Sequence, residues 1–182
     1  MNVPNILLAF LPILIFYISI VAHELGHFAA DILVGQKSDW ISLGSPKIFS
    51  FNLFGTGVDI GLFPIKNFVY VAPEKWNRLC WIQKIFTAAA GPFVSLFLVW
   101  FGLWQLGMFH TSLPLLINTF IRTVEANTFG FLFYMLIAIN LIIGTLSFLP
   151  LPGFDGELIL LAIQEAFIGK KVWLKYHSAL HN

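Results

Sequence analysis

The chain has 182 residues, 58% of them hydrophobic and only 10% charged, with a mean hydropathy of +0.85. Soluble domains carry roughly 25% charged residues, so this composition excludes an ordinary soluble fold and predicts an integral membrane protein. A net charge of +1 gives no basic footprint for nucleic acid, and the single Cys80 excludes an intrachain disulfide and reads as a small apolar residue.

The first apolar run, residues 3–22, carries no charge and continues as a helix to about residue 33. A helix needs about 20 apolar residues to cross a bilayer, whereas barrel strands are short and alternate. The run has no basic start and its polar end does not resemble a small-residue cleavage site, so it reads as a first span rather than a removed signal peptide. That polar end is "HELGHFAAD", with His23, Glu24, His27 and Asp31. Residues four apart lie one helical turn above each other, so His23 and His27 face one point and can grip one ion. Zinc favours imidazole and carboxylate ligands, and a catalytic site uses three protein ligands with one position open. Glu24, next to the first histidine, fits the general base of a His-Glu-x-x-His zinc hydrolase. Ionisable groups at membrane depth are costly and by default functional. Asp31 is open to two readings, a partner for the second ring nitrogen of His27 or an interfacial residue at the helix exit.

From residue 39 to 71 the texture changes to β-branched and aromatic runs broken by Gly and Pro. This predicts a small membrane-associated sheet, with "NLFGTGVDI" as a hairpin and Gly55 and Gly57 available for positive φ. A second span is expected over about residues 85–109, opened by the small residues of "TAAAGP", which allow close helix approach in lipid. A short connection follows, in which Arg122 and Glu125 read as a helical charge pair. The third span covers about residues 128–149. Beyond it, "PLPGFDGE" is a Pro/Gly turn into an apolar-biased helix over about residues 157–168, too short to span and expected at the interface or against the bundle.

The expected fold is therefore an α-helical polytopic membrane protein. It has about three transmembrane helices, a small sheet between the first and second, and a C-terminal interfacial helix, in one domain over residues 1–182. Lys37, Lys47, Lys66, Lys75, Arg78, Lys84, Lys170, Lys171 and Lys175 fall on one side and Arg122 alone on the other. Basic loops stay in the cytoplasm, which places the N-terminus outside and the candidate site toward the cytoplasm of a cell (inner) membrane. Candidates for a third metal ligand on that side are Asp39, Asp59, Glu74, Asp155, Glu157 and Glu165. Asp155 is the best placed, in a turn stiffened by Pro150 and Pro152, although it also suits a turn former or helix cap. A metal transporter would need more ligands than the remaining His110, His177 and His181.

"HELGH" near an inward helix end, "AAAGP" opening the next span and "SFLPLPGFDGE" after a third together resemble the site-two proteases, a family of intramembrane zinc metalloproteases. "LVGQKSDWISLGSPKIFSF" and "PEKWNRL" look most like the bacterial branch that cleaves anti-sigma factors. The resemblance implies His23, His27 and Asp155 as ligands of one Zn2+ ion per chain and Glu24 as the catalytic carboxylate. The implied substrate is a single-pass membrane protein, such as an anti-sigma factor or a signal-peptide remnant, cut in or near its transmembrane segment after pairing with the β element. An accessory membrane protein is a further implied partner; the alternative is a catalytically silent relative acting as a membrane adaptor. The sequence departs from the pattern at Ser147, where the family has Asn, and at Glu157, where a second glycine is usual; Glu157 either shifts pH dependence or caps the helix. The PDZ domain and fourth span common in that branch are not expected.

Overall fold

The computed structural model describes residues 5–108, 118 and 128–172. The chain begins with helix α1 (Asn5–Leu33), followed by strands β1 (Trp40–Leu43), β2 (Ser45–Leu53), β3 (Thr56–Phe63) and β4 (Phe68–Tyr70). A short helix α2 (Pro73–Trp76) leads to α3 (Trp81–Gln105), α4 (Thr128–Ser147) and α5 (Asp155–Ile168). Three helical stretches, Phe10–Leu33, Trp81–Gln105 and Gly130–Ser147, are long and apolar enough to cross a membrane, as the apolar runs predict. The second starts four residues before the expected position, where Gln83 Oε1 accepts the Cys80 backbone N–H at 3.0 Å and satisfies a free donor of the helix start. Lys84, counted above among the loop cations, thus lies inside α3 and is buried. The Arg122–Glu125 pair, His110, His177 and His181 lie outside the described residues.

Helix α1 is amphipathic in the inverted sense that lipid demands. Ile13, Leu14, Ile18, Leu25 and Ile32, at helical spacing, are exposed, while Ser19, His23, Glu24 and Asp31 turn inward and are buried. Helix α3 packs against α1, α4 and α5. Its buried residues include Ala88, Ala89, Gly91, Ser95 and Gly102, small groups that let backbones approach where lipid supplies no hydrophobic drive between helices. Asn140 on α4 donates to Ser19 Oγ of α1 at 2.8 Å, a polar link between two spans.

The sheet has the order β2-β3-β1-β4, with β1 parallel to β3 and the other pairs antiparallel. The β2–β3 hairpin forms as expected, its two-residue loop placing Phe54 (φ 51) and Gly55 (φ 82) in the left-handed region that such loops require. Gly57 differs from expectation, since its φ is not positive. It pairs with Trp40, and a Cβ there would stand 2.4 Å from the indole ring, so the glycine makes room for the neighbouring strand's side chain.

Ile41, Val58 and Val69 form one row across β3, β1 and β4 and pack with Phe28 and Val21 of α1. The sheet thus lies alongside α1. The Tyr17 hydroxyl reaches the Leu43 and Gly61 carbonyls at 2.8 and 3.0 Å. Tyr17 precedes the end of α1 by 16 residues, about 24 Å at 1.5 Å per residue, so one end of the sheet runs back along the span. Ile48, Phe49, Leu62 and Phe63, near that end, are exposed.

Asp31 is not the partner of the second His27 ring nitrogen, which faces the Thr87 carbonyl oxygen at 2.8 Å. It is 3% exposed, and its carboxylate accepts the Ser38 hydroxyl at 2.7 Å, while Ser38 O accepts the Thr56 hydroxyl at 2.8 Å. This chain of bonds ties the end of α1 to the start of β3.

Candidate metal centre

On α1, His23 and His27 project from successive turns with ring centroids 5.0 Å apart. Facing them is Asp155 in the first turn of α5, 132 residues after His23. His23 Nε2 stands 3.1 Å from Asp155 Oδ2, His27 Nε2 stands 3.2 Å from Oδ1, and the two Nε2 atoms are 3.3 Å apart. Four donors set tetrahedrally around one zinc ion at its usual bond lengths stand about 3.3 Å from each other. The three donors all fall within 4.8 Å of one another.

The partners behind the rings decide what occupies the space between them. His27 Nδ1 lies 2.8 Å from the Thr87 carbonyl oxygen, which can only accept, so Nδ1 carries the hydrogen. In the neutral imidazole, Nε2 then presents a lone pair to a carboxylate oxygen and a second imidazole nitrogen. Such an arrangement needs a cation between the donors, a proton or a metal ion, and the donor set suits zinc. His23 Nδ1 is held in turn by Ser95 Oγ at 3.0 Å. Backing partners of this kind orient a ligating imidazole, and both come from α3. Sequence reading found neither, because a backbone carbonyl has no residue signature and Ser95 lies 72 residues from His23.

Close packing of α1 on α3 makes the arrangement possible. A Cβ on Gly91 would lie 2.2 Å from His27 Nε2 and 2.7 Å from His23 Nε2. One on Gly26 would lie 2.9 Å from the Ala90 carbonyl oxygen and 3.1 Å from the Gly91 Cα. The glycine of "HELGH" and that of "AAAGP" are therefore the two faces of one crossing, the first letting the backbones meet and the second leaving space for both rings.

Asp155 is not the N-cap of α5, a place held by Phe154. Glu157, the departure from the family pattern, accepts the Gly153 N–H at 3.0 Å and closes the turn before α5. Other candidates are engaged elsewhere. Asp39 pairs with Lys75, Asp59 lies 3.4 Å from Lys47 and Glu165 pairs with Lys84.

A cavity of about 1140 Å³ opens beside these residues, larger than the usual small-molecule pocket. His23, Glu24, His27 and Asp155 line it together with all of β4 and Ser147. Among the described residues, strand β4 is an edge of the sheet, paired with β1 alone. Glu24 is 8% exposed and is adjacent in sequence to His23.

Fold and site define a polytopic membrane protein in which two imidazoles and a carboxylate from different helices converge inside the bundle. Residues 11–112, more than half of the chain, match the family model of Peptidase family M50. The chain belongs to this family of zinc-dependent membrane metalloproteases, the family of the site-two proteases. No curated protein matches it. The matched segment includes His23, Glu24, His27, Thr87, Gly91 and Ser95 and stops before Asp155, whose presence at the centre rests on geometry.

Proposed function

We propose that the protein hydrolyses a peptide bond in or near the transmembrane segment of a single-pass membrane protein, with His23, His27 and Asp155 holding one zinc ion and Glu24 as general base. The observation that carries this reading is the convergence of three donors with the His27 lone pair aimed at the other two. When bound, zinc supplies a Lewis acid at the reacting carbonyl. Glu24, lining the same cavity, takes the proton from the attacking water and delivers it to the departing amine nitrogen.

A helical substrate must unwind before its backbone can be cut, and the freed N–H and C=O groups need partners in an apolar setting. Strand β4 has one unpaired edge and lines the cavity, so strand addition there would satisfy them beside the site. Ser147, also on the wall, offers a single hydroxyl to the same peptide. Favoured substrates are a membrane-bound anti-sigma factor or a signal-peptide remnant. The excess of Lys and Arg in the segments flanking the site favours a cytoplasmic-facing centre in the cell membrane.

The test compares the intact chain with Glu24→Gln in metal content and in cleavage of a model single-pass substrate. Retained zinc with cleavage lost supports the reading, and equal cleavage by both forms would sink it. Asp155→Ala should lower the zinc content; an unchanged content removes Asp155 from the ligand set.

A further inference from the structure

Lys84 and Glu165 form a buried ion pair in the wall of the same cavity, with Lys84 1% and Glu165 3% exposed. Lys84 lies in the first turn of α3 and Glu165 near the end of α5, and the Lys84 Nζ also stands 5.9 Å from the centre of the Trp76 ring. Burying two charges is costly, and a buried pair is a poor source of stability compared with apolar side chains of the same volume; its best-attested use is to fix one arrangement. What this pair fixes follows from what α5 carries.

Asp155 begins α5, and Glu165 is ten residues further on, about 15 Å along the axis. With its side chains, a helix has a radius of about 5–6 Å, so a rotation of about 10° about its own axis moves a carboxylate by about 1 Å. Apolar contacts slide under such a rotation. A charge-assisted hydrogen bond, which is directional, resists it. Both histidines are already referenced to α3, His27 through the Thr87 carbonyl and His23 through Ser95. Lys84 stands one turn before Thr87, and the Thr87 hydroxyl donates to the Lys84 carbonyl at 3.1 Å. Among the described residues, Asp155 has no such link of its own to α3, and within the packed α3–α5 contact this pair is the ionic tie. Beyond the helix, Lys170 donates to the Leu79 carbonyl at 2.8 Å and holds the end of α5 near the start of α3.

We propose that Lys84 and Glu165 are positioning residues, whose pairing fixes the rotation of α5 against α3 and thereby sets the Asp155 carboxylate against His23 and His27. The proposal rests on the metal centre described above, and its test separates the two. The full chain in detergent is stripped of metal and titrated with Co2+ against a competing chelator, with the visible absorption of bound Co2+ as the readout. Circular dichroism and thermal unfolding of the metal-free protein report the fold.

Lys84→Met should weaken Co2+ binding about tenfold, the lower end of the range for losing a supporting partner, and alter the absorption band. Because that variant leaves Glu165 buried and unpaired, Lys84→Met/Glu165→Met, which buries no charge at either position, is the deciding form. It should keep wild-type helicity and thermal midpoint without metal while showing the same loss of affinity and altered band. Wild-type affinity and spectrum in the folded double variant overturn the proposal. His23→Ala and His27→Ala in the same titration test the underlying centre: a Co2+ band that survives both would refute the centre itself, whereas its loss in them together with a wild-type double variant would refute only the positioning role.

Discussion

Replacing Gly91 with alanine adds one methyl group, and its consequence can be worked from the packing. The new Cβ would lie 2.2 Å from His27 Nε2 and 2.7 Å from His23 Nε2, where ordinary contact begins at 3.4 Å. The first ring must therefore retreat by 1.2 Å (3.4 − 2.2) and the second by 0.7 Å (3.4 − 2.7). Neither can do so freely, since His27 is held at 2.8 Å by the Thr87 carbonyl and His23 at 3.0 Å by Ser95. For the helix itself alanine is favoured over glycine by about 1 kcal/mol, against roughly 1–3 kcal/mol for overpacking. Net stability should change by no more than about 2 kcal/mol, while a misplacement of about 1 Å in a catalytic constellation costs about a hundredfold. The expected result is a metal-free unfolding midpoint close to wild type with cleavage reduced about a hundredfold and metal affinity lowered. Wild-type zinc affinity together with wild-type cleavage would refute the reasoning, because the rings would then not occupy the space that Gly91 leaves.

Two further substitutions probe smaller terms. Ser95→Ala removes the partner of His23 Nδ1 and should weaken metal binding about tenfold without loss of helicity, measured by chelator competition and circular dichroism; unchanged affinity would show that Ser95 does not orient the ring. Asp39 is held below the usual carboxylate range by its hydrogen bond from Lys75 and by the Ala72 N–H. Its folded value is lower than its unfolded one, so its contribution is complete above about pH 4 and is lost as pH falls through the folded value. The pair is partly exposed, so the effect is small. The difference in unfolding midpoint between wild type and Asp39→Asn should shrink from pH 5 to pH 3; a constant difference would exclude the linkage.

The parts of the molecule legible in the sequence are those that depend on local spacing. Long uncharged runs and the four-residue interval of His23 and His27 follow from helix geometry alone, and the Pro/Gly turn before Asp155 narrows where that carboxylate can go. Contacts between helices leave a weaker trace. The small residues of "TAAAGP" gave close approach, but that Gly91 clears the two imidazoles appears only when α1 and α3 are crossed in space. The pairing of Lys84 with Glu165 is invisible for the same reason, because nothing in an 81-residue separation says that they meet. The place of Gly57 near a turn suggests a backbone role, whereas its cause is the ring of Trp40 on a strand that pairs in parallel.

Helices in lipid gain little from apolar burial against each other, so the fixed distances of the centre must come from small-residue packing and polar links. Helix α3 supplies both. It carries Gly91, which leaves space for the rings, and Thr87 and Ser95, which orient them; Lys84, in turn, holds the helix that bears Asp155. The cavity is bounded by α3 on one flank, through Lys84, Thr87 and Ala88, while β4 and the turn between α4 and α5 form other walls. Strand β4 itself packs on α1 through Val69, beside Val21 and Phe28, so the sheet edge is joined to the helix that bears both histidines.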